Sequence, residues 1–348
     1  MTKRIGWADA LRGLLILLIV YGHTAANGDG LKHYVYSFHV AAFFFLSGYL
    51  FSKGGRSAVG FIKRKFLLYM VPYYAFASVS ILIFTFLGAF ASAELDVLIK
   101  YNEVYKSILG MLYASGVQGY MKWNLPLWFL PCMFVTQVMF YFADESVSRR
   151  MMKRRINGVF MVIASLVLPF LDYFVFRIRA LPFHLESSVF LMPFFLAGAC
   201  LRRSGMDIER FSFKKIIPAA FLLLSGALIA LFFNCRVNYF LSSYGKLPVF
   251  YLSAFLSVSA IALLAPHIKS RLLSYVGKNT MPILLMHKFP VVFFQIVLSK
   301  LLHLPGIFET LLALVLTLIS AALCLLAGRA IEAFAPILIG KSKTAHNS

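Results

Sequence analysis

Apolar runs long enough to cross a bilayer recur ten times along the chain, at 11–26, 34–51, 66–90, 126–143, 158–176, 182–201, 216–234, 248–266, 280–299 and 306–328. Most are apolar all round, as helices surrounded by lipid and by one another should be. A transmembrane barrel would instead show alternating strands of roughly ten residues, and no segment alternates. The pattern predicts an all-α polytopic integral membrane protein of about ten transmembrane helices, forming one domain over 1–348 with no C-terminal soluble domain. No repeat of fixed period and no low-complexity tract interrupts it. The longest polar interval, 91–124, mixes Lys, Glu and aromatic residues. It is too short for a domain and is expected to form a lid or rim.

Composition agrees. Hydrophobic residues make up 61% of the 348 positions and charged residues 14%, against roughly 45–50% and 25% in soluble domains. A soluble chain of this length has too much surface to leave so little of it polar. The net charge of +21 then becomes a question of sides. Counted by alternate loops, 24 Lys and Arg fall on the side that carries both termini, nine on the other, and Lys288 lies inside a span. Positive charge gathers on the cytoplasmic face, so both termini are predicted to be cytoplasmic, in a cytoplasmic (inner) membrane. Topology and contact with anionic membrane lipids account for the basic excess without nucleic acid. A second use, drawing an anionic cosubstrate to the inner face, stays open. Lys3 and Arg4 precede an apolar core as in a signal peptide, but Asp9 and Arg12 lie too close to that core for cleavage. Cys132, Cys200, Cys235 and Cys324 are far apart and match no metal or redox spacing, so no metal is expected.

Ionisable residues inside spans are costly, about 2.5–3.5 kcal/mol for Arg or Asp at mid-helix, and therefore mark function. The first helix carries Asp9, Arg12 and His23. Eleven residues separate Arg12 from His23, three turns plus ~20°, so they share a face about 16–17 Å apart along the axis. Asp9, one turn before Arg12, can pair with it. The expectation is that Arg12 and His23 line one passage from the cytoplasmic rim to beyond the midplane. Helix two follows after a short loop, so it is an antiparallel neighbour that brings His39 to the depth of His23. The ninth span holds His287 and Lys288 between Pro282 and Pro290, which can open the backbone. Span four carries Trp128, and His184 and Glu186 enter span six. Each has a structural alternative: a snorkelling pair for Asp9 and Arg12, interhelical hydrogen bonds or interfacial anchoring for the histidines, an aromatic belt for Trp128.

There is no Gly-rich phosphate loop and no Ser-centred nucleophile elbow. Acidic residues are scarce inside the spans, unlike the relays of proton- and cation-coupled transporters. An intramembrane His with a basic cytoplasmic mouth suits a general base serving an anionic cosubstrate. A lipid-linked glycan flippase, or a non-catalytic subunit of a polysaccharide synthase, would share the span count and the basic loops.

Asp9-Ala10-Leu11-Arg12-Gly13, Gly22-His23, Phe38-His39 and Phe43-Phe44-Phe45-Leu46-Ser47-Gly48-Tyr49 resemble the opening of membrane-bound acyltransferase family 3. Leu127-Trp128-Phe129-Leu130-Pro131, Phe194-Phe195-Leu196-Ala197-Gly198, and Gly277-Lys278-Asn279 through Leu285-Met286-His287 extend the resemblance over essentially the whole chain. Arrangement and length are most similar to the fucose 4-O-acetylase-like branch. The resemblance implies an O-acetyltransferase of surface polysaccharide: acetyl-CoA is the donor cosubstrate, with no bound cofactor, and a glycan or lipid-linked saccharide is the acceptor. It implies His23 and His39 as catalytic, Arg12 and Asp9 at the donor, and His287, Trp128 and Ser47 in contact with substrate or supporting those groups. Direct transfer with His23 as base and a transient acyl-His are both compatible with it. Family members commonly carry Pro shortly after the second-helix His, where this chain has Val40-Ala41-Ala42; the kink such a Pro imposes is not expected here.

Overall fold

In the computed structural model of the chain, the described residues are 5–90, 104–115, 120, 123–146, 155–206, 213–299 and 307–341. Among them all regular structure is helical, apart from one isolated bridge between Asn238 and Ser243. The helices are α1 (Gly6–Thr24), α2 (Gly30–Tyr49), α3 (Ala58–Lys65), α4 (Val71–Phe90), α5 (Val104–Tyr113), α6 (Phe129–Ser146), α7 (Arg155–Ser165) and α8 (Val167–Leu171). They continue with α9 (Leu185–Arg203), α10 (Ile216–Phe233), α11 (Leu247–Leu264), α12 (Arg271–Lys278), α13 (Thr280–Met286), α14 (Lys288–Ser299) and α15 (Ile307–Phe334).

Seven of the described helical stretches are long and apolar enough to cross a membrane, and a bent pair, α13 with α14, makes an eighth. Helices α1 and α2 have spanning length, 19 and 20 residues, but are not among the seven because Asp9, Arg12, His23, Lys32 and His39 dilute their apolar content. Several limits differ from the sequence pattern. The third span begins at Ala58, not 66, because the basic α3 runs through a π-helical turn, Phe66–Met70, into α4. Helix α2 begins four residues before Tyr34, capped by the Asp29 carboxylate, which accepts from Lys32 N at 2.7 Å. The ninth span is broken: its halves meet at 47° at His287. Without Pro after His39, α2 runs unbroken through Val40-Ala41-Ala42. Of the interval 91–124, positions 91–103, 116–119, 121 and 122 lie outside the described residues; α5 packs on α4, with Tyr73 Oη donating to Met111 O at 3.1 Å.

The centre of the bundle is α1, α2, α9 and α11, with Leu15, Val20, Phe44, Phe190, Phe194 and Phe250 fully buried. On its outside, Phe160, Ile163, Leu168, Phe221, Leu224 and Leu318 are exposed, the arrangement expected where the surrounding solvent is hydrocarbon. Lipid offers no hydrophobic drive between helices, so close backbone approach through small residues carries the packing. Two glycine pairs do this. A Cβ on Gly13 would overlap Leu273 O, and one on Gly277 would overlap Asp9 O, so α1 and α12 lie backbone to backbone. A Cβ on Gly48 would overlap Phe195 O, and one on Gly198 would overlap Phe45 O, which locks α2 to α9 in the same way. At one end of the bundle the buried Asp144 carboxylate joins Arg203 and Lys53, the latter at 3.3 Å. That tie links the ends of α6 and α9 to the α2–α3 loop.

Candidate active site

Helices α1 and α2 each present a stripe to the same interior space. On α1 it is Arg12, Ile16, Ile19 and His23; on α2 it is Lys32, Tyr36, Val40, Phe43 and Ser47. Steps of three and four residues keep such a row on one helical face. Between the stripes lie two cavities, of about 310 and about 300 Å³.

The first cavity contains His23, His39 and Trp128, with Lys32, Lys288 and Arg236. Val35 O accepts from His39 Nδ1 at 2.7 Å, which makes Nδ1 the protonated nitrogen of the neutral ring and leaves the Nε2 lone pair as its basic atom. His287 is fixed in the same way by Ile283 O at 2.8 Å and Leu284 O at 3.1 Å. Its Nε2 is buried with no hydrogen-bond partner among the described residues. The His23 ring packs on the His287 ring at 5.2 Å between centroids. His287 therefore stands behind His23, and the helix break that follows it turns Lys288 into the cavity. Trp128, at the end of a 3₁₀ turn leading into α6, lies nearly parallel to Tyr239 (12°, centroids 6.5 Å apart) and supplies an aromatic wall. Tyr239 is held by Ser37 O, which accepts from its hydroxyl at 3.2 Å.

The second cavity contains Arg12, Ser47, Tyr69, Lys278 and Lys341. Asp9 is buried and its Oδ1 accepts from Arg12 Nη1 at 3.4 Å. Arg12 keeps 38% side-chain exposure, so its charge is steered by Asp9 while the guanidinium stays open to the cavity.

The sequence leads one to expect a single passage from Arg12 to His23; in the structure the two residues line two adjoining cavities. Ile19, Phe129 and Leu284, from α1, α6 and α13, line both cavities and stand between them. These three apolar side chains form the neck that the two cavities share. Arg12 and Ser47 are thus on one side of this neck, and His23, His39 and Trp128 on the other. His287 is behind the second group.

Comparison with known proteins places the chain in a family. Residues 5–327 match the model of an acyltransferase domain, the third of the acyltransferase families. The chain belongs to acyltransferase family 3. It is accordingly a multi-pass membrane acyltransferase. Neither a curated protein nor a solved structure gives a match. The structure also explains why the motif stretches of this family member are spaced so far apart. Gly13 of the Asp9–Gly13 stretch meets Gly277 of the last, and Gly48 of the Phe43–Tyr49 stretch packs on Phe195 O of the Phe194–Gly198 stretch.

Several lining residues escape a reading of the sequence alone. Lys32 and Arg236 count there only as outer-loop charges, and Lys278 and Lys341 as inner ones. Lys32, Tyr36 and His39 do share helical spacing, a signal legible once α2 is known to begin at Gly30. Arg236 and Tyr239 come from the 234–246 loop, whose fold over the histidines has no signature in local sequence.

Proposed function

We propose that this acyltransferase moves an acetyl group from acetyl-CoA to a sugar hydroxyl of a surface polysaccharide or lipid-linked glycan, from a cytoplasmic membrane in which both termini face the cytoplasm. The observation that carries the reading is the pair of cavities meeting at Ile19, Phe129 and Leu284, both basic and one of them also lined by histidines.

The donor's phosphates are assigned to Arg12, Lys278 and Lys341, since guanidinium forks and ammonium groups suit phosphate. Its acyl-pantetheine arm extends along the α1 stripe, and the ~16–17 Å between Arg12 and His23 is of the length of such an arm. The acceptor sugar lies in the histidine cavity against Trp128 and Tyr239, whose apolar faces suit a sugar ring. Its hydroxyl oxygen attacks the thioester carbonyl while His23 takes the hydroxyl proton. The C–S bond breaks, and the sulfur leaves with the proton returned from His23 as free CoA thiol. His287 Nε2, an acceptor without a partner among the described residues, stabilises the His23 imidazolium in between. His39 Nε2 accepts from a second acceptor hydroxyl and orients the ring. A transient acetyl-imidazole on His23 uses the same geometry. A flippase would require a continuous hydrated route for a saccharide, which an apolar neck opposes.

Purified protein with His23→Ala should lose acetyl transfer by about 10²–10⁴-fold, the usual contribution of a positioned base, with its thermal unfolding unchanged. Full activity in that variant would end the assignment. Mass spectrometry of surface glycans from cells with and without the gene should differ by one acetyl group per repeat unit. Identical spectra would remove the acceptor class.

A further inference from the structure

The histidine cavity carries three cations that the transfer chemistry does not use. Lys32 enters from the first turn of α2, Arg236 from the 234–246 loop, and Lys288 from the break between α13 and α14. Lys32 is 7% exposed, and its Nζ donates only to neutral oxygens, Ala25 O at 2.7 Å and Asn27 Oδ1 at 3.4 Å. Arg236 Nη1 donates to the same Asn27 Oδ1 at 2.9 Å and to Asn27 O at 3.2 Å. One amide oxygen thus holds two cations on one side of the cavity. The remaining nitrogens of the guanidinium have no hydrogen-bond partner among the described residues, and the group lies over the Tyr36 ring at 5.9 Å.

No described carboxylate lines this cavity. The nearest acidic side chain in sequence, Asp29, spends its oxygens on Tyr21 Oη at 2.9 Å, Thr310 Oγ1 at 2.6 Å and Lys32 N at 2.7 Å. Of the three cations Lys32 is buried, Lys288 half-buried and Arg236 exposed; a buried charge is unfavourable without a counter-ion, so an anion seated beside Lys32 is stabilised there. The Arg12 cavity differs in this respect: Asp9 supports Arg12 and Glu332 holds Lys341.

We infer that the acceptor bound beside His23 and His39 is anionic, its carboxylate or phosphate seated among Lys32, Arg236 and Lys288 while its sugar ring lies on Trp128 and Tyr239. The inference rests on the proposed acyl transfer for the identity of the cavity as the acceptor site, and adds the charge of what enters it. Guanidinium pairs with either anion through two parallel hydrogen bonds, and the ammonium groups add charge without geometric demand. The anion so placed lies on the loop side of the cavity, away from the neck and from Arg12, so donor and acceptor charges do not compete for one cluster.

The test uses the full chain in nanodiscs and three probes of one hexose: glucose, glucuronate and glucose 1-phosphate, with binding followed by the quenching of tryptophan fluorescence. Both charged sugars should bind at least tenfold more tightly than glucose, with a difference that shrinks as salt rises. In Arg236→Gln combined with Lys32→Met the advantage should fall to within twofold. Arg236 is exposed, so Arg236→Gln alone leaves the fold intact and should already remove most of it. Preference for glucuronate over glucose 1-phosphate identifies a carboxylate source, and the reverse a phosphate source. Equal binding of all three probes, or a charge preference that survives both variants, overturns the inference. Binding of labelled acetyl-CoA, measured alongside in the wild type and in Arg12→Gln, separates the two claims. If it binds and depends on Arg12 while the sugars show no charge preference, only the anionic acceptor falls. If it fails to bind, the transferase reading falls whatever the sugars do.

Discussion

Replacing Gly277 by Ala adds one methyl group where α12 crosses α1. That Cβ would overlap Asp9 O and lie 2.8 Å from Gly13 N, whereas Cβ contacts under 3.0 Å are essentially never seen in proteins. Both neighbours are backbone, so no side chain can swing aside and the helices themselves must part. A gap of 0.5–1 Å already forfeits about a quarter to a half of each dispersion contact along the seam, and overpacking of this kind usually costs about 1–3 kcal/mol. At roughly 2–4 °C per kcal/mol, the unfolding midpoint in detergent should fall by about 2–12 °C, read by scanning fluorimetry. Gly6→Ala, whose Cβ meets nothing within 4 Å, is the control and should show no loss. Gly13→Ala strains the same seam, so the double variant should lose less than the sum of the two. Activity should fall as well, because Arg12 on α1 and Lys278 beside Gly277 line one cavity and would move apart. An unfolding midpoint for Gly277→Ala equal to that of Gly6→Ala would refute the close backbone seam.

Two further outcomes follow from the neck and from the buried charge cluster. Leu284→Ala widens the junction of the two cavities; the ratio of butyryl to acetyl transfer should rise about tenfold or more, the scale on which apolar pockets discriminate methylenes. An unchanged ratio would show that acyl groups do not pass there. Asp144→Ala leaves Arg203 and Lys53 without their shared carboxylate and should cost about 3–5 kcal/mol; a wild-type denaturation profile would show the cluster to be slack.

Much of this architecture is legible in the chain itself. Apolar runs of spanning length, nearly empty of charge, specify the helical class because lipid forbids any backbone that does not satisfy its own hydrogen bonds. The eleven-residue interval from Arg12 to His23 assigns both to one face, since helical pitch is a local property. The glycines of the motif stretches are visible too, but not their partners. That Gly13 meets Gly277 and Gly48 packs on Phe195 O is a matter of which helices touch, over separations that no periodicity encodes.

What tertiary structure alone decided is the shape of the interior. Ile19, Phe129 and Leu284 read as ordinary apolar positions on three unrelated helices, and only the fold makes them the shared lining of two adjoining cavities. Lys32, Arg236 and Lys288 read as two loop charges and one lysine inside a span. They become a site because an amide oxygen on Asn27 gathers two of them and a helix break at His287 swings in the third. Sequence fixes each helix from within, through hydrogen bonds and periodicity four residues long. A cavity exists only where side chains distant along the chain leave a space unfilled.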